Sequence, residues 1–164
     1  MDQGALIEVV KQFMMKAADS QVQLTKKSME SGRLTGVASA LRHRSALGAL
    51  GDRVLVSVVV PTMPSRRWAH RSLYECFRLQ SWPRREMVVL ETGGDGEDSA
   101  FWRGVARADR RVRYIYERKD MALGPKRNRF LKLVEGEVVA QFDDDDVYAP
   151  SYLDTMVAAR AGKG

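Results

Sequence analysis

Four consecutive aspartates, Asp143 to Asp146, sit in "VVAQFDDDDVYAP" at residues 138–150, directly behind an apolar run. Adjacent carboxylates repel by about 1 kcal/mol per pair at ~4 Å in water, and by several-fold more near a protein surface. A loop that needed only solubility would mix Lys, Ser and Glu, so the run calls for something that neutralises it. In an extended segment Asp143 and Asp145 point to one side, Asp144 and Asp146 to the other. One alternate pair then converges on a hard divalent cation. Carboxylate oxygens suit Mg²⁺ or Mn²⁺, and Mg²⁺ takes one or two of them together with substrate phosphates. A Ca²⁺ loop of the EF-hand type would need a third acid and then a glycine where this chain has Val147 and Tyr148. The His and Cys residues form no cluster with zinc-ligand spacing.

A short way upstream, "GPKRNR" offers Lys126, Arg127 and Arg129. Basic side chains at a helix start oppose the helix dipole, which argues mildly against a purely structural role. A cation and Lys/Arg on one rim form the arrangement expected for a pyrophosphate, whose charge they share.

The elements that must hold these residues are legible from periodicity. "RVLVSVVVP" reads as a buried strand stopped by Pro61, and a helix follows over 66–79 with Ala69, Leu73, Cys76 and Phe77 on one face. "EMVVLE" is a second strand, ended by "TGGDGEDS", where Asp98 or Ser99 caps a short helix carrying Phe101, Trp102 and Val105. "RVRYIYE" alternates as a third strand. Pro125 then stands in the first turn of a helix "PKRNRFLKLVE" that packs Phe130, Leu131 and Val134 and is closed by Gly136. "EVVAQF" is the fourth strand, and Pro150 and Ser151 open a last helix with Leu153, Met156 and Val157. This alternation predicts an α/β fold, a Rossmann-like, mostly parallel sheet flanked by helices. The polar clusters "PTMPSR", "ETGGDG", "ERKDMALGPKR" and "DDDD" all follow strand carboxyl ends, where such sheets hold ligands near the point at which strand order reverses.

Residues 1–52 differ in texture. Leu6, Val9, Val10, Phe13, Met14 and Ala17 fall at helical spacing, so a helical extension or tether is expected ahead of a domain at 53–164. With 164 residues, 45% of them hydrophobic and 29% charged, the chain suits one soluble domain plus that extension. The longest apolar run, residues 54–60, is broken by Ser57 and too short to span a membrane. The N-terminus lacks the cationic start and apolar core of a secretory signal. A single Cys76 forms no internal disulfide and reads as core, so a reducing, cytoplasmic location is expected. The net charge of +6 attracts anions. Its arginines are scattered without regular aromatic interleaving, so no nucleic acid is expected.

With these residues in view, "VSVVVPTMPSRRW", "LQSWPRREMVVLETGGDG", "RVRYIYERKDMALGPKRN" and "GEVVAQFDDDDVYAPSYL" resemble, in order and spacing over about 54–157, the successive motifs of family-2 glycosyltransferases of the GT-A fold. The resemblance implies a nucleotide-sugar donor (UDP- or GDP-linked), Mn²⁺ or Mg²⁺, and sugar transfer to an acceptor hydroxyl by direct displacement. By resemblance Asp143 and Asp145 form the Asp-x-Asp metal signature, and Asp144 lies beside the ribose or sugar. Pro61 and Thr62 line the nucleobase pocket, Glu91 is the carboxylate that reads the base, and Arg127 approaches the diphosphate or the base; Lys126 is expected beside it as a substrate-binding residue of the basic rim. The chain departs from the pattern at Glu91-Thr92, where Asp-Asp or Asp-x-Ser is usual, and at Met63-Pro64, where an aromatic-Asn pair is common.

Enzymes of this kind carry a second half that shapes the acceptor cleft and, in inverting members, supplies the general base, worth roughly 10²–10⁴-fold in rate. No residue in this stretch stands in for that base, so the expectation is a donor-binding half, truncated at its C-terminus, with apolar surface open to self-association. The alternatives are a non-catalytic nucleotide-binding module and another metal-dependent α/β enzyme. A phosphatase would place its acids after the first strand, and a nucleotidyltransferase its glycines and bases there; neither matches "PTMPS".

Overall fold

The computed structural model describes residues 53–161. The predicted N-terminal helix at residues 1–52 lies outside that range. Four strands form one parallel sheet in the order β3-β2-β1-β4: β1 is Val56–Thr62, β2 Arg85–Thr92, β3 Val112–Glu117 and β4 Val138–Gln141. A 3₁₀ helix, Pro64–Ala69, runs into α1, His70–Arg78; the later helices are α2 (Ala100–Ala108), α3 (Leu123–Phe130) and α4 (Tyr152–Ala161). The expected α/β, Rossmann-like architecture is thus observed. Among the described residues no helix is long and apolar enough to cross a membrane.

Strand periodicity decides what each face carries. Val56, Val58 and Val60 of β1 and Met87 and Val89 of β2 pack under α1, α2 and α4, against Leu73, Cys76, Phe77, Trp102, Leu153 and Val157. The alternate residues Val59, Val88 and Leu90 meet Phe130 of α3 on the opposite face. The chain builds β1, β2 and β3 in one direction and then crosses back to lay β4 on the other side of β1. With right-handed crossovers, reversing direction puts the connecting helix on the opposite face. Cys76 is fully buried and burial pushes its thiol up, as expected for a core residue. Arg85, also buried, donates to the carbonyls of Phe77 (3.1 Å) and Arg78 (2.9 Å), and so caps the C-terminal end of α1.

Three expectations need correcting. Pro61 does not stop β1 but lies inside it, paired in register with Leu90. A proline in a central strand normally forfeits a ladder bond. Here Val59 turns its carbonyl toward β4, accepting from Phe142 at 3.0 Å, and Pro61, two residues on, faces the same way. The β4 pairing has already ended at Val59, so no ladder bond is lost. Second, α3 ends at Phe130 rather than running to Gly136. Third, Leu131 was expected to pack and is 70% exposed. Past Phe130 the chain makes a turn, with Leu133 and Val134 N–H both on the Phe130 carbonyl, and Glu135 and Gly136 then send their N–H groups to Glu86 and Ser57 instead of to helix carbonyls.

Candidate donor site

The reversal in strand order falls between β1 and β4, and a crevice at the carboxyl ends of those two strands is where an open parallel sheet takes a ligand. Thr62, the last residue of β1, bridges it. Its hydroxyl donates to Asp144 Oδ2 at 2.6 Å, while His70 Nε2 lies 3.0 Å from Thr62 Oγ1 itself. With the hydroxyl proton committed to Asp144, Thr62 Oγ1 must accept from His70 Nε2–H. That fixes the tautomer and leaves His70 Nδ1 bare, and it is indeed a buried nitrogen without a partner among the described residues. Burial, reinforced by the charge of Arg67, lowers the imidazole to about 4, so the ring is neutral. Burial also raises Asp144, while the Thr62 bond and Arg66 pull it back.

The aspartates themselves form a turn, closed by Asp146 N–H on the Asp143 carbonyl at 3.3 Å. The alternation expected of an extended segment therefore does not apply. Fused to the end of β4, the chain must leave the sheet at once to reach α4, and Tyr148 pins it there. The ring stacks on Phe142 with centroids 3.8 Å apart, and its hydroxyl accepts from Asp143 N–H at 2.6 Å. Within the turn the charges are separated by distinct partners. Gln141 donates to Asp143 Oδ1 (2.7 Å) and accepts from Arg127 Nε (3.0 Å), and Arg66 Nη1 pairs with Asp145 Oδ2 at 2.9 Å. Three of the four carboxylates are thus answered from neighbouring elements, which resolves how the chain tolerates the run.

Asp143 and Asp145 are exposed and each keeps a second oxygen outside these bonds. Among the described residues no three acidic, His or Cys side chains gather into a ready-made cage. Two hard carboxylates match a cation such as Mg²⁺ or Mn²⁺ that completes its shell with phosphate and water, and do not match one that needs an all-protein shell.

The other expected residues divide. Arg127 reaches the rim through Gln141. Lys126 is 3% exposed, and its ammonium donates to the Thr62 carbonyl at 2.9 Å, supporting the β1 tip from beneath. Burial lowers its affinity for the proton, opposed by Asp120, Asp144 and Glu91. Glu91 is wholly buried. Its Oε1 accepts from Arg67 Nε at 2.7 Å, and its Oε2 from the Tyr114 hydroxyl at 2.5 Å. Arg66, Arg67, His70 and Tyr114 were not singled out from the sequence. "SRRWAH", immediately past a strand tip, was the available signal for the first three.

Residues 57–161 match the model of the Glycosyl transferase family 2. The chain belongs to that family. A protein named as a colanic acid biosynthesis glycosyl transferase, WcaA of Escherichia coli (strain K12), is 26% identical over 104 residues, covering 63% of this chain and 37% of WcaA. Among solved structures, the mannosyltransferase PcManGT from Pyrobaculum calidifontis, in complex with GDP-Man and Mn²⁺, superposes with a TM-score of 0.57 at 19% identity, covering 74% of this chain and 42% of that one. Residues 1–349 of S. aureus TarS superpose with a TM-score of 0.55 at 25% identity, covering 66% and 32%. A complex of the same TarS segment with UDP-GlcNAc gives 0.51 at 24%, covering 66% and 31%. The chain thus spans well under half the length of these proteins. The family membership and the GT-A-type fold agree with the resemblance read from the motifs.

Proposed function

We propose that this family 2 chain supplies the donor-binding half of an enzyme that takes a UDP- or GDP-linked sugar with Mn²⁺ or Mg²⁺ and passes the hexosyl group to an acceptor hydroxyl. The observation that carries the reading is the Thr62–Asp144 bond at 2.6 Å, which ties the β1 tip to the acidic turn at the point where strand order reverses. That a mannosyltransferase of the same fold holds GDP-Man with Mn²⁺, and TarS holds UDP-GlcNAc, supports the donor class.

In this reading Asp143 and Asp145 hold the cation, which when bound neutralises charge on the departing diphosphate. Asp144, fixed by Thr62, faces the ribose or sugar. Arg127 lies close enough to the turn, through Gln141, to pair with a phosphate, and Lys126 acts from below by fixing the Thr62 carbonyl. Pro61 and Thr62 form the wall beneath the nucleoside. Arg66 currently occupies Asp145, and an incoming cation competes with it for that oxygen. A pair with both side chains more than 40% exposed is worth little, so the exchange costs little. The test is calorimetric titration of UDP and GDP into the chain with and without Mn²⁺. Metal-dependent binding of one of them is expected; no metal-dependent binding of either removes the reading.

A further inference from the structure

The two arginines past the β1 tip part company. Arg66 leans to the β4 side and pairs with Asp145, whereas Arg67 leans to the β2 side, where Nε holds Glu91 and Nη2 donates to the Glu97 carbonyl at 2.5 Å. β4, β1 and β2 are successive neighbours, and two strand spacings amount to about 10 Å. That is the reach of a nucleoside diphosphate. A donor with its diphosphate over the acidic turn therefore lays its base across β1 toward Arg67.

What that wall offers the base is a donor. Glu91 has both oxygens engaged and no exposed surface, and the Tyr114 hydroxyl, which bonds it, also accepts from Ser99 N–H at 2.7 Å. The Arg67 side chain is 34% exposed, and its Nη1 makes neither of these bonds. Of the other carboxylates around the end of β2, Asp95 and Glu97 belong to the exposed loop after it, Asp98 pairs with Arg103, and Asp120 accepts from Thr92 Oγ1 and Met121 N–H through one oxygen.

We infer that Arg67 is the specificity-determining contact to the donor's base, reading its carbonyl or ring-nitrogen acceptors, and that Glu91 is a positioning residue that holds Arg67 rather than a reader itself. This rests on the donor reading above. It also gives Glu91-Thr92, where the family pattern has Asp-Asp or Asp-x-Ser, a physical role. The longer acid reaches sideways to Arg67 and Tyr114 from within the sheet and is sealed there.

The test uses whichever of UDP and GDP binds with Mn²⁺, alongside ribose 5-diphosphate, which lacks a base. Arg67→Lys keeps a cation for Glu91 but loses the fork, and circular dichroism checks that it is folded. The ratio of nucleotide to ribose 5-diphosphate affinity is expected to fall about tenfold, the order of one charge-assisted bond, with ribose 5-diphosphate binding unchanged. A ratio equal to that of the unaltered chain overturns the inference, as does an equal loss for both ligands, which marks a structural role. A second measurement uses the unaltered chain with 3-methyluridine or 1-methylguanosine diphosphate, in which the N–H that a carboxylate would read is blocked. Affinity within tenfold of the parent nucleotide is expected, and a greater loss assigns the reading to a carboxylate and overturns the inference. If neither UDP nor GDP binds, the donor reading itself fails, an outcome distinct from either of these.

Discussion

His70 is held neutral by its surroundings: its Nε2–H is used by Thr62, its Nδ1 has no partner among the described residues, and its ring lies against Trp102 with centroids 5.3 Å apart. Its pKa falls from an ordinary 6.5 to about 4. Between those two pH values the unfolded chain binds a proton that the folded chain refuses, so stability is complete above about pH 6.5 and is lost as pH falls toward 4. The linkage is on the order of 3 kcal/mol. Urea midpoints measured from pH 7 to 4.5 should therefore fall for the unaltered chain. His70→Gln, which keeps a donor for Thr62 and does not titrate, should show a markedly shallower slope. Parallel slopes would mean that His70 is not the buried neutral base. Asp109 adds a separate acid limb. Its bonds to Arg111 hold it at about 2 against an ordinary 3.8, so its contribution is present above 3.8 and disappears as pH drops to about 2. Asp145 is the opposite case, a residue whose removal the fold should not notice. Its ion pair with Arg66 is exposed on both sides, so Asp145→Asn should change stability by less than about 0.5 kcal/mol. It should nevertheless abolish Mn²⁺-dependent nucleotide binding by calorimetry. A destabilised variant, or one with unchanged binding, counts against its assignment to the cation.

The connection from α3 to β4 sets where the acidic turn arrives, and Gly136 is its tightest point. A Cβ there would lie 2.5 Å from the Leu55 carbonyl oxygen, 2.6 Å from Ser57 Oγ and 2.8 Å from Ser57 N. Two of those are backbone atoms that cannot swing aside. Gly136 N–H also donates to Ser57 Oγ at 2.8 Å, and Ser57 in turn donates to the buried Glu86, which pairs with Arg113. Gly136→Ala should cost roughly 1–3 kcal/mol as an overpacked site, read from a denaturant midpoint, and should weaken donor binding because β4 shifts against β1. The same stretch shows what the sequence could and could not disclose. β-branched runs and Gly/Pro punctuation placed every strand: β1 and β2, buried on both faces, leave a plain apolar signature, and the edge strand β3 shows itself by alternation. Apolar spacing through Leu131 and Val134 looks helical whether or not a turn intervenes, so the pattern alone overstates the span of α3. Pro61 looks like a stop, because nothing local shows that β4 parts from β1 two residues earlier. The site's rim was legible from four polar clusters at strand ends. Its wiring was not: a hydroxyl from one tip reaching an aspartate on another, or an arginine sealing a glutamate, depends on pairings 24 to 82 residues apart.

At the scale of the whole molecule, β4 is the last strand of the sheet order, and among the described residues its outer edge has no strand partner. Beside it runs a groove of about 260 Å³ lined by Val59, Phe130, Leu131, Val134 and Val139, with Arg127 and Gln141 at the end nearest the acidic turn. Of that lining Leu131 is 70% exposed and Val139 44%, so apolar surface is open along the groove. Unpaired backbone and open apolar side chains together favour association, and edge lysines are a common protection against it. The 164-residue chain should therefore associate as concentration rises in sedimentation velocity, and Val139→Lys should return it to a single monomer boundary. Because the substituted side chain already faces solvent, its denaturant midpoint should stay within about 0.5 kcal/mol of the parent. A monomer at every concentration before the substitution would show that this edge is already covered. A variant that still associates would place the contact on another face. The groove and the acidic turn share Gln141 and Arg127, so whatever covers β4 also bears on the side chain that orients Asp143. Donor binding measured across the same concentration series should track the association for that reason, and should become independent of concentration in Val139→Lys.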